Sequence, residues 1–223
     1  MQGLMTMPRI INNANFEEKL TRLDRNISET ETFLEKGTSP YFVDGVNVPD
    51  NYLLVKANSA RPNNNGGEIE SIRMIHQDPE TGTRTIVYAV NLNIDSNSTI
   101  KDQYCSQILV WRSTSVRHRN ATSEIPSAMF FHFIEKYVVI ISDTEQTNAG
   151  RRFWELRIND ALDQNKFVYF TDFNDLDDDL NHTFDRIFDE NEFNTKWMDH
   201  GWGESEEYKD RLFLISSKDF ADY

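Results

Sequence analysis

The sequence predicts an α/β protein with a mixed β-sheet of about seven strands and flanking helices. Two observations carry this prediction. Strand-like segments come first, and residues 68–76 and 85–94 are joined by the turn-rich stretch Gln77–Gly82, which is typical of an antiparallel hairpin. Helix-like and strand-like segments then alternate along the second half of the chain, a pattern that favours parallel strands joined by helices.

The N-terminal segment predicts an amphipathic helix over 15–36. Its apolar face consists of Phe16, Leu20, Leu23, Ile27, Thr30 and Leu34. Gly37 and Pro40 end the helix, because glycine favours a helix C-terminus and proline cannot continue one. The stripe either packs on the domain core or forms a short helical dimer contact. We therefore expect a helical arm at 1–49 and a single domain at 50–223.

The remaining elements follow from local patterns. Strands are expected at 52–56, 68–76, 85–94, 107–112, 138–142, 166–170 and 211–216, and helices at 123–137 and 153–165. The run Val138–Ser142 is continuously apolar up to its last residue, which indicates a strand buried on both faces. The sequence shows no internal repeat and no clear linker.

Negative charge is concentrated near the C-terminus. Residues 171–210, the acidic segment, hold 14 acidic and three basic side chains and so carry −11 of the chain's net charge of −14. Because nucleic-acid binders present basic surfaces, direct nucleic-acid binding is disfavoured. Aromatic residues run through the segment, which is therefore either a solvated face over a packed edge or a surface for a basic protein partner. Asp177, Asp178 and Asp179 offer oxygen ligands, but the spacing of an EF-hand is absent and we expect no metal.

The composition and the absence of certain motifs exclude several classes of protein. No apolar run approaches 18 residues and no secretory signal is visible, so we expect a cytoplasmic protein that does not bind a membrane. The single cysteine, Cys105, excludes an intramolecular disulfide framework. The phosphate-binding P-loop and the dinucleotide glycine motif are absent, which disfavours nucleotide hydrolysis and dinucleotide redox chemistry.

A polar loop, 142–150, follows the buried strand and precedes a predicted helix, at the edge where open α/β sheets bind ligands. Within it, Asp143 or Glu145 is a candidate general base that would take a proton from an incoming amine. The alternative interpretation is structural, with Thr147 or Asn148 capping the helix that follows.

Three arginines and a histidine, Arg112, Arg117, His118 and Arg119, lie just before the helix expected from Ile125. A helix N-terminus with nearby cations suits a phosphate group. The order of elements over 50–217 resembles the GNAT acyltransferase fold in a divergent form, like that of phage-encoded members, whose loop at 119–128 contains no glycine. In that fold the fourth strand, here 107–112, leads into a loop and helix that hold the pyrophosphate of acetyl-CoA.

The resemblance implies that Arg112, Arg117, Arg119 and Ser127 bind acetyl-CoA or another acyl-CoA. It implies an N-acyltransferase that transfers the acyl group to a small-molecule or protein amine. The alternative is a noncatalytic protein on the same fold, whose acidic segment binds a basic partner such as a DNA-binding protein. An enzyme of another α/β class, or a structural protein, is the third hypothesis.

Overall fold

The computed structural model describes residues 19–63, 66–96, 103–142, 148–177, 182–202 and 210–219. These residues fall into two units. The N-terminal unit comprises the described residues within 10–95 and 107–132, and the C-terminal unit those within 96–106 and 133–223. Three elements run from one unit into the other: strand β6, helix α3 and, by its last residue, strand β5.

Eight elements belong mainly to the N-terminal unit. They are α1 (Leu23–Glu35), β1 (Thr38–Pro40), β2 (Tyr52–Ala57), β3 (Arg61–Pro62), β4 (Glu68–Gln77), β5 (Arg84–Ser96), α2 (Arg119–Thr122) and α3 (Ile125–Ile134). Strand β6 (Gln103–Arg112) gives its last six residues to this unit, and a 3₁₀ turn, Val116–His118, connects it to α2.

Strands β1, β2, β4 and β5 pair in that order and are antiparallel, with β3 also pairing with β4. The predicted β4–β5 hairpin is confirmed, and its turn closes through hydrogen bonds from the Gly82 N–H to the Asp78 carbonyl and from the Asp78 N–H to the Thr83 carbonyl. Apolar side chains of β2, β4 and β5 form a core with Leu20; they are Val55, Ile75, Ile86 and Ala89.

The C-terminal unit contains the later strands and one long helix. Its elements are β7 (Val138–Ser142), α4 (Asn148–Asp163), β8 (Phe167–Asp172), β9 (Asp185–Ile187), α5 (Glu190–Glu192), a π-helical turn (Phe193–Trp197) and β10 (Arg211–Ser216). The strand order is β6, β7, β10, β8, β9. Strands β6 and β7 are parallel, whereas the other pairs are antiparallel. A buried cluster from β7, β8 and β10 fills the interior; it comprises Val138, Ile140, Tyr169, Leu212 and Leu214.

The prediction of mixed helices and strands on a mixed sheet is confirmed, but the number of strands is wrong. The described residues form ten strands rather than about seven. The three additional strands are β1, β3 and β9, which have only two or three residues each. Two of them contain a proline, Pro40 or Pro62, which weakens a strand signal in the sequence.

Helix α1 lies within the predicted helical segment, but its buried face coincides with the predicted stripe only in part. Thr30 is buried as predicted, whereas Leu23 is 68% exposed and Asn26, outside the stripe, is buried. The Asn26 side-chain amide donates to the Ile86 carbonyl at 2.9 Å, and its oxygen accepts the Ile86 N–H at 2.8 Å. Polar pairing with strand β5 therefore sets the orientation of α1, and a hydrophobic periodicity could not reveal it. The predicted residues 15–18 lie outside the described part of the chain.

Candidate functional site

The connection from β6 to α3 is held by a hydrogen bond to β5 and by one within the connection itself. The Ser113 N–H donates to the Val87 carbonyl at 2.9 Å, which ties the end of β6 to β5. The buried Thr122 hydroxyl donates to the His118 carbonyl at 3.0 Å, within the α2 turn. Pro126 occupies the first turn of α3, where its missing N–H has no helical partner to lose.

The four predicted CoA-binding residues all lie in the N-terminal unit. Arg112 is exposed at the end of β6, and Arg119 is exposed at the start of α2. Neither arginine forms an ion pair with any described residue. Ser127 is half-buried at the third position of α3. These positions leave Arg112 and Arg119 available to an anion.

Arg117, in contrast, is already paired with a carboxylate. Its Nη2 lies 2.9 Å from Oδ2 of Asp78 in the β4–β5 turn. The other Asp78 oxygen accepts the backbone N–H groups of Glu80 and Thr81 at 2.9 and 3.1 Å. These backbone hydrogen bonds, together with Arg117, lower the pKa of Asp78 to about 2. An anionic ligand would therefore have to compete with Asp78 for Arg117.

A tyrosine and two histidines meet beside this ion pair. Tyr52 begins β2 and His76 lies near the end of β4, where the antiparallel register places them opposite each other. Their ring centroids are 4.9 Å apart, and the His76 ring lies 4.8 Å from that of His118. The Tyr52 Oη is 3.0 Å from His118 Nδ1, a hydrogen-bonding distance. We call Tyr52, His76 and His118 the imidazole cluster.

Burial and neighbouring charge keep the imidazole cluster uncharged. The pKa of His118 is lowered by desolvation and then by the neighbouring His76 and Arg117. The pKa of His76 is lowered by desolvation and then by Arg117, although Asp78 opposes this effect. Burial raises the pKa of the Tyr52 phenol. Two neutral imidazoles and a protonated phenol are thus present at neutral pH, and a neutral imidazole is a competent proton acceptor.

The sequence interpretation included His118 in the basic cluster but did not connect it with Tyr52 or His76. The hydrogen bond between Tyr52 and His118 joins residues 66 positions apart. To predict that Tyr52 lies opposite His76, one would need the register of β2 on β4. That register depends on contacts outside both strands. Local patterns therefore could not identify this cluster.

The two predicted general bases, Asp143 and Glu145, lie in 143–147, outside the described residues. Their flanking elements are described. Strand β7 has the predicted bounds, Val138–Ser142, and α4 begins at Asn148, five residues before the predicted start. The assignment of a base to Asp143 or Glu145 stays a prediction.

The acidic segment in the C-terminal unit combines buried aromatic rings with exposed carboxylates. Phe193, Trp197 and Trp202 are buried, and Phe193 and Trp202 pack against Phe213. Glu192 is bound within the segment, where its carboxylate accepts from the Phe188 N–H and the Trp197 indole. Carboxylates that face solvent include those of Asp175, Asp185, Asp189, Glu190 and Asp199.

Within the described residues, no three or more His, Cys, Asp or Glu side chains are grouped so that they could hold a metal ion. Cys105 is buried and forms no disulfide with a described residue. None of the described helices is both long enough and apolar enough to cross a membrane. Comparison of the chain with family models, curated proteins and solved structures gives no match.

Proposed function

We propose that the protein is an acyl-CoA-dependent N-acyltransferase of the GNAT type. The observation that carries the proposal is the connection β6–α3–β7: two parallel strands, joined through a basic loop and a helix. Their parallel ladder contains two residue pairs, Tyr104 with Val138 and Cys105 with Val139. In the GNAT fold the fourth and fifth strands pair only partly and then separate to admit the pantetheine arm. The antiparallel strands β2, β4 and β5 that come before also agree with that fold.

The phosphate groups of CoA would bind at the start of α3. This helix has ten residues, and the N–H groups of its first turn favour an anion. Arg112 and Arg119 would supply the positive charge, since Arg117 is held by Asp78. Ser127 lies in the first turn of α3 and would donate its hydroxyl to a phosphate oxygen.

Calorimetric titration with acetyl-CoA at low and moderate salt tests this proposal. We expect micromolar binding that weakens with salt, because charge-assisted contacts to phosphate are screened. The double variant Arg112→Ala/Arg119→Ala should bind at least ~10-fold more weakly, since hydrogen bonds to charged groups contribute about 1.5–3 kcal/mol each. The matched control, Arg61→Ala/Arg152→Ala, removes two exposed arginines elsewhere and should bind as the unaltered protein does. Absence of both binding heat and a thermal shift would overturn the proposal.

The acidic segment favours a second function, which is binding of a basic protein. The supporting observation is that the exposed carboxylates of the acidic segment are interspersed along the chain with buried aromatic residues. The charge is therefore carried by a folded surface. The absence of glycine from the loop at 119–128 also favours this noncatalytic role. On this hypothesis, immobilised polylysine retains the protein and releases it as salt is raised.

The variant that tests this second function is Asp185→Asn/Glu190→Gln/Asp199→Asn. It should elute at clearly lower salt, whereas a charge-matched variant of exposed acids in the N-terminal unit should not. That control is Glu35→Gln/Asp44→Asn/Asp50→Asn. Equal elution of the two variants would mean that net charge alone governs binding, and would overturn the assignment to the acidic segment.

A further inference from the structure

We propose that His118 is the proton acceptor of the acyl transfer, and that Tyr52 is the residue that positions it. This inference rests on the proposed acyltransferase function. It assigns the base to the N-terminal unit, in the same connection as Arg119, whereas the sequence prediction placed it at Asp143 or Glu145.

In the imidazole cluster, a hydrogen bond to another residue orients the histidine that would act as the base. A catalytic imidazole takes a proton on one ring nitrogen while the other nitrogen is fixed by a hydrogen bond. In His118 the fixed nitrogen is Nδ1, which lies 3.0 Å from the Tyr52 Oη. When Nδ1–H donates to the phenol oxygen, the lone pair on Nε2 is free to accept a proton.

The second ring nitrogen of His118 is available to a ligand. Among the described residues, Nε2 has no hydrogen-bond partner, and the side chain is only half-buried. In the part of the chain that the structure describes, the polar groups beside His118 are the Tyr52 phenol, the His76 imidazole and the Arg117 guanidinium with its partner Asp78. The only carboxylate among them, Asp78, is bound to Arg117 and to two backbone N–H groups.

The proposed step balances in atoms and charge. The lone pair of the amine attacks the thioester carbonyl carbon of the acyl-CoA, and the C–S bond breaks with its electron pair on sulfur. The proton lost by the amine nitrogen moves to Nε2 of His118, which becomes an imidazolium with Nδ1–H donating to Tyr52. That proton then passes to the CoA thiolate, so the products are an amide and free CoA.

The net charge of −14 guides the choice of the first acceptor probe, because it attracts cations to the protein surface. Spermidine is the probe that we would use first, with acetyl-CoA as the donor.

The experiment measures release of free CoA by a thiol reagent, which the single, buried Cys105 does not obscure. We expect His118→Gln to lower kcat by ~10²–10⁴-fold, which is the usual contribution of a general base. Tyr52→Phe removes only the positioning hydrogen bond and should lower kcat by roughly 10-fold with little change in KM. His200→Gln, at an exposed histidine of the C-terminal unit, is the matched control and should keep full activity.

The pH profile distinguishes a base from a structural residue. Activity should rise with pH along a limb below the ordinary histidine pKa of about 6.5, because neutral His118 is the active form. His76→Gln should move this limb to higher pH, since a neighbouring imidazolium no longer opposes protonation of His118. A limb that stays in place, or full kcat in His118→Gln, would overturn the inference.

The inference and the proposed function can fail separately. If the protein binds acetyl-CoA and turns it over equally well without His118, the inference is wrong and the acyltransferase proposal is kept. If the protein does not bind acetyl-CoA, both are wrong. Nitrogen NMR of the imidazoles gives a test that needs no turnover: the inference requires neutral His118 to carry its proton on Nδ1, and a proton on Nε2 would overturn it.

Discussion

Both units have apolar cores, but they differ in the larger polar side chains that they enclose. The N-terminal unit encloses polar groups, among them Asn26, Thr30, Arg73 and His76, whereas the large buried side chains that surround Phe213 in the C-terminal unit are aromatic. Buried polar groups are tolerated only when hydrogen-bonded, and they define position more strictly than apolar contacts do. The unit with the polar interior is also the one that holds the imidazole cluster.

Two buried polar residues show how the N-terminal unit satisfies this requirement. The Arg73 guanidinium donates to the Ile72 and Val90 carbonyls and to the Asn91 side chain, at 2.8–2.9 Å. Desolvation lowers the pKa of Arg73 to about 10, so it is still charged at neutral pH. Asn26 similarly pairs with both backbone groups of Ile86. Because hydrogen bonds are directional, removing one partner should leave the other unsatisfied and lower the stability of the unit.

The C-terminal unit should show the largest loss of stability. Phe213 is 1% exposed and packs against Phe170, Phe193 and Trp202. Phe213→Ala should lower the free energy of unfolding by about 3–5 kcal/mol, because it leaves a cavity among three rings. Urea denaturation measures this, with the exposed Phe188→Ala as a control that should change little. A small effect at Phe213 would mean that the rings can close the space.

The next largest effect should come from the polar interior. Asn26→Ala removes two of the three hydrogen bonds between α1 and Ile86, leaving the one to Thr30, and should lower the free energy of unfolding by about 2–3 kcal/mol. Ser28→Ala, at an exposed position of the same helix, is the matched control. If the two variants unfolded at the same urea concentration, side-chain amide pairing would not anchor α1.

The Asp78–Arg117 pair should make the stability of the folded protein fall at low pH. The pKa of Asp78 is about 2 in the folded protein and ordinarily 3.8, so the folded state favours the ionised carboxylate. The resulting stabilisation is present above pH ~4 and disappears as the pH falls towards ~2. Asp78→Asn should therefore flatten the fall in melting temperature between these values, whereas Glu80→Gln in the same turn should follow the unaltered protein. Parallel curves for both variants would contradict this.

Ion pairs should give the smallest difference between the units. Arg84 and Glu31 in the N-terminal unit are 2.6 Å apart, with side chains 37% and 41% exposed. Their coupling energy in a double-mutant cycle should be about 0.2–1 kcal/mol, because solvent screens the pair. The Arg211–Asp172 pair of the C-terminal unit is 22% and 20% exposed and should couple more strongly. The reverse order would show that exposure does not govern these pairs.

Local patterns located some elements to the residue. Strands β7 and β10 have the predicted bounds. Both are apolar runs buried on both faces of the sheet, so their position does not depend on which face turns inward. Helix α4 begins earlier than predicted, since Asn148 and Gly150 are weak helix formers that the sequence marks as a loop. The Arg151–Glu155 ion pair at 2.6 Å supports that first turn.

The order and type of the main elements and the location of charge follow from the sequence, since hydrophobic periodicity and composition are local properties. Which residues meet depends on the tertiary structure. Cross-strand register places Tyr52 opposite His76, and the turn after β6 brings His118 against both. Pairing with β5 turned the buried face of α1 to Asn26 rather than Leu23. These contacts depend on hydrogen bonds between residues far apart in the chain, which no local pattern records.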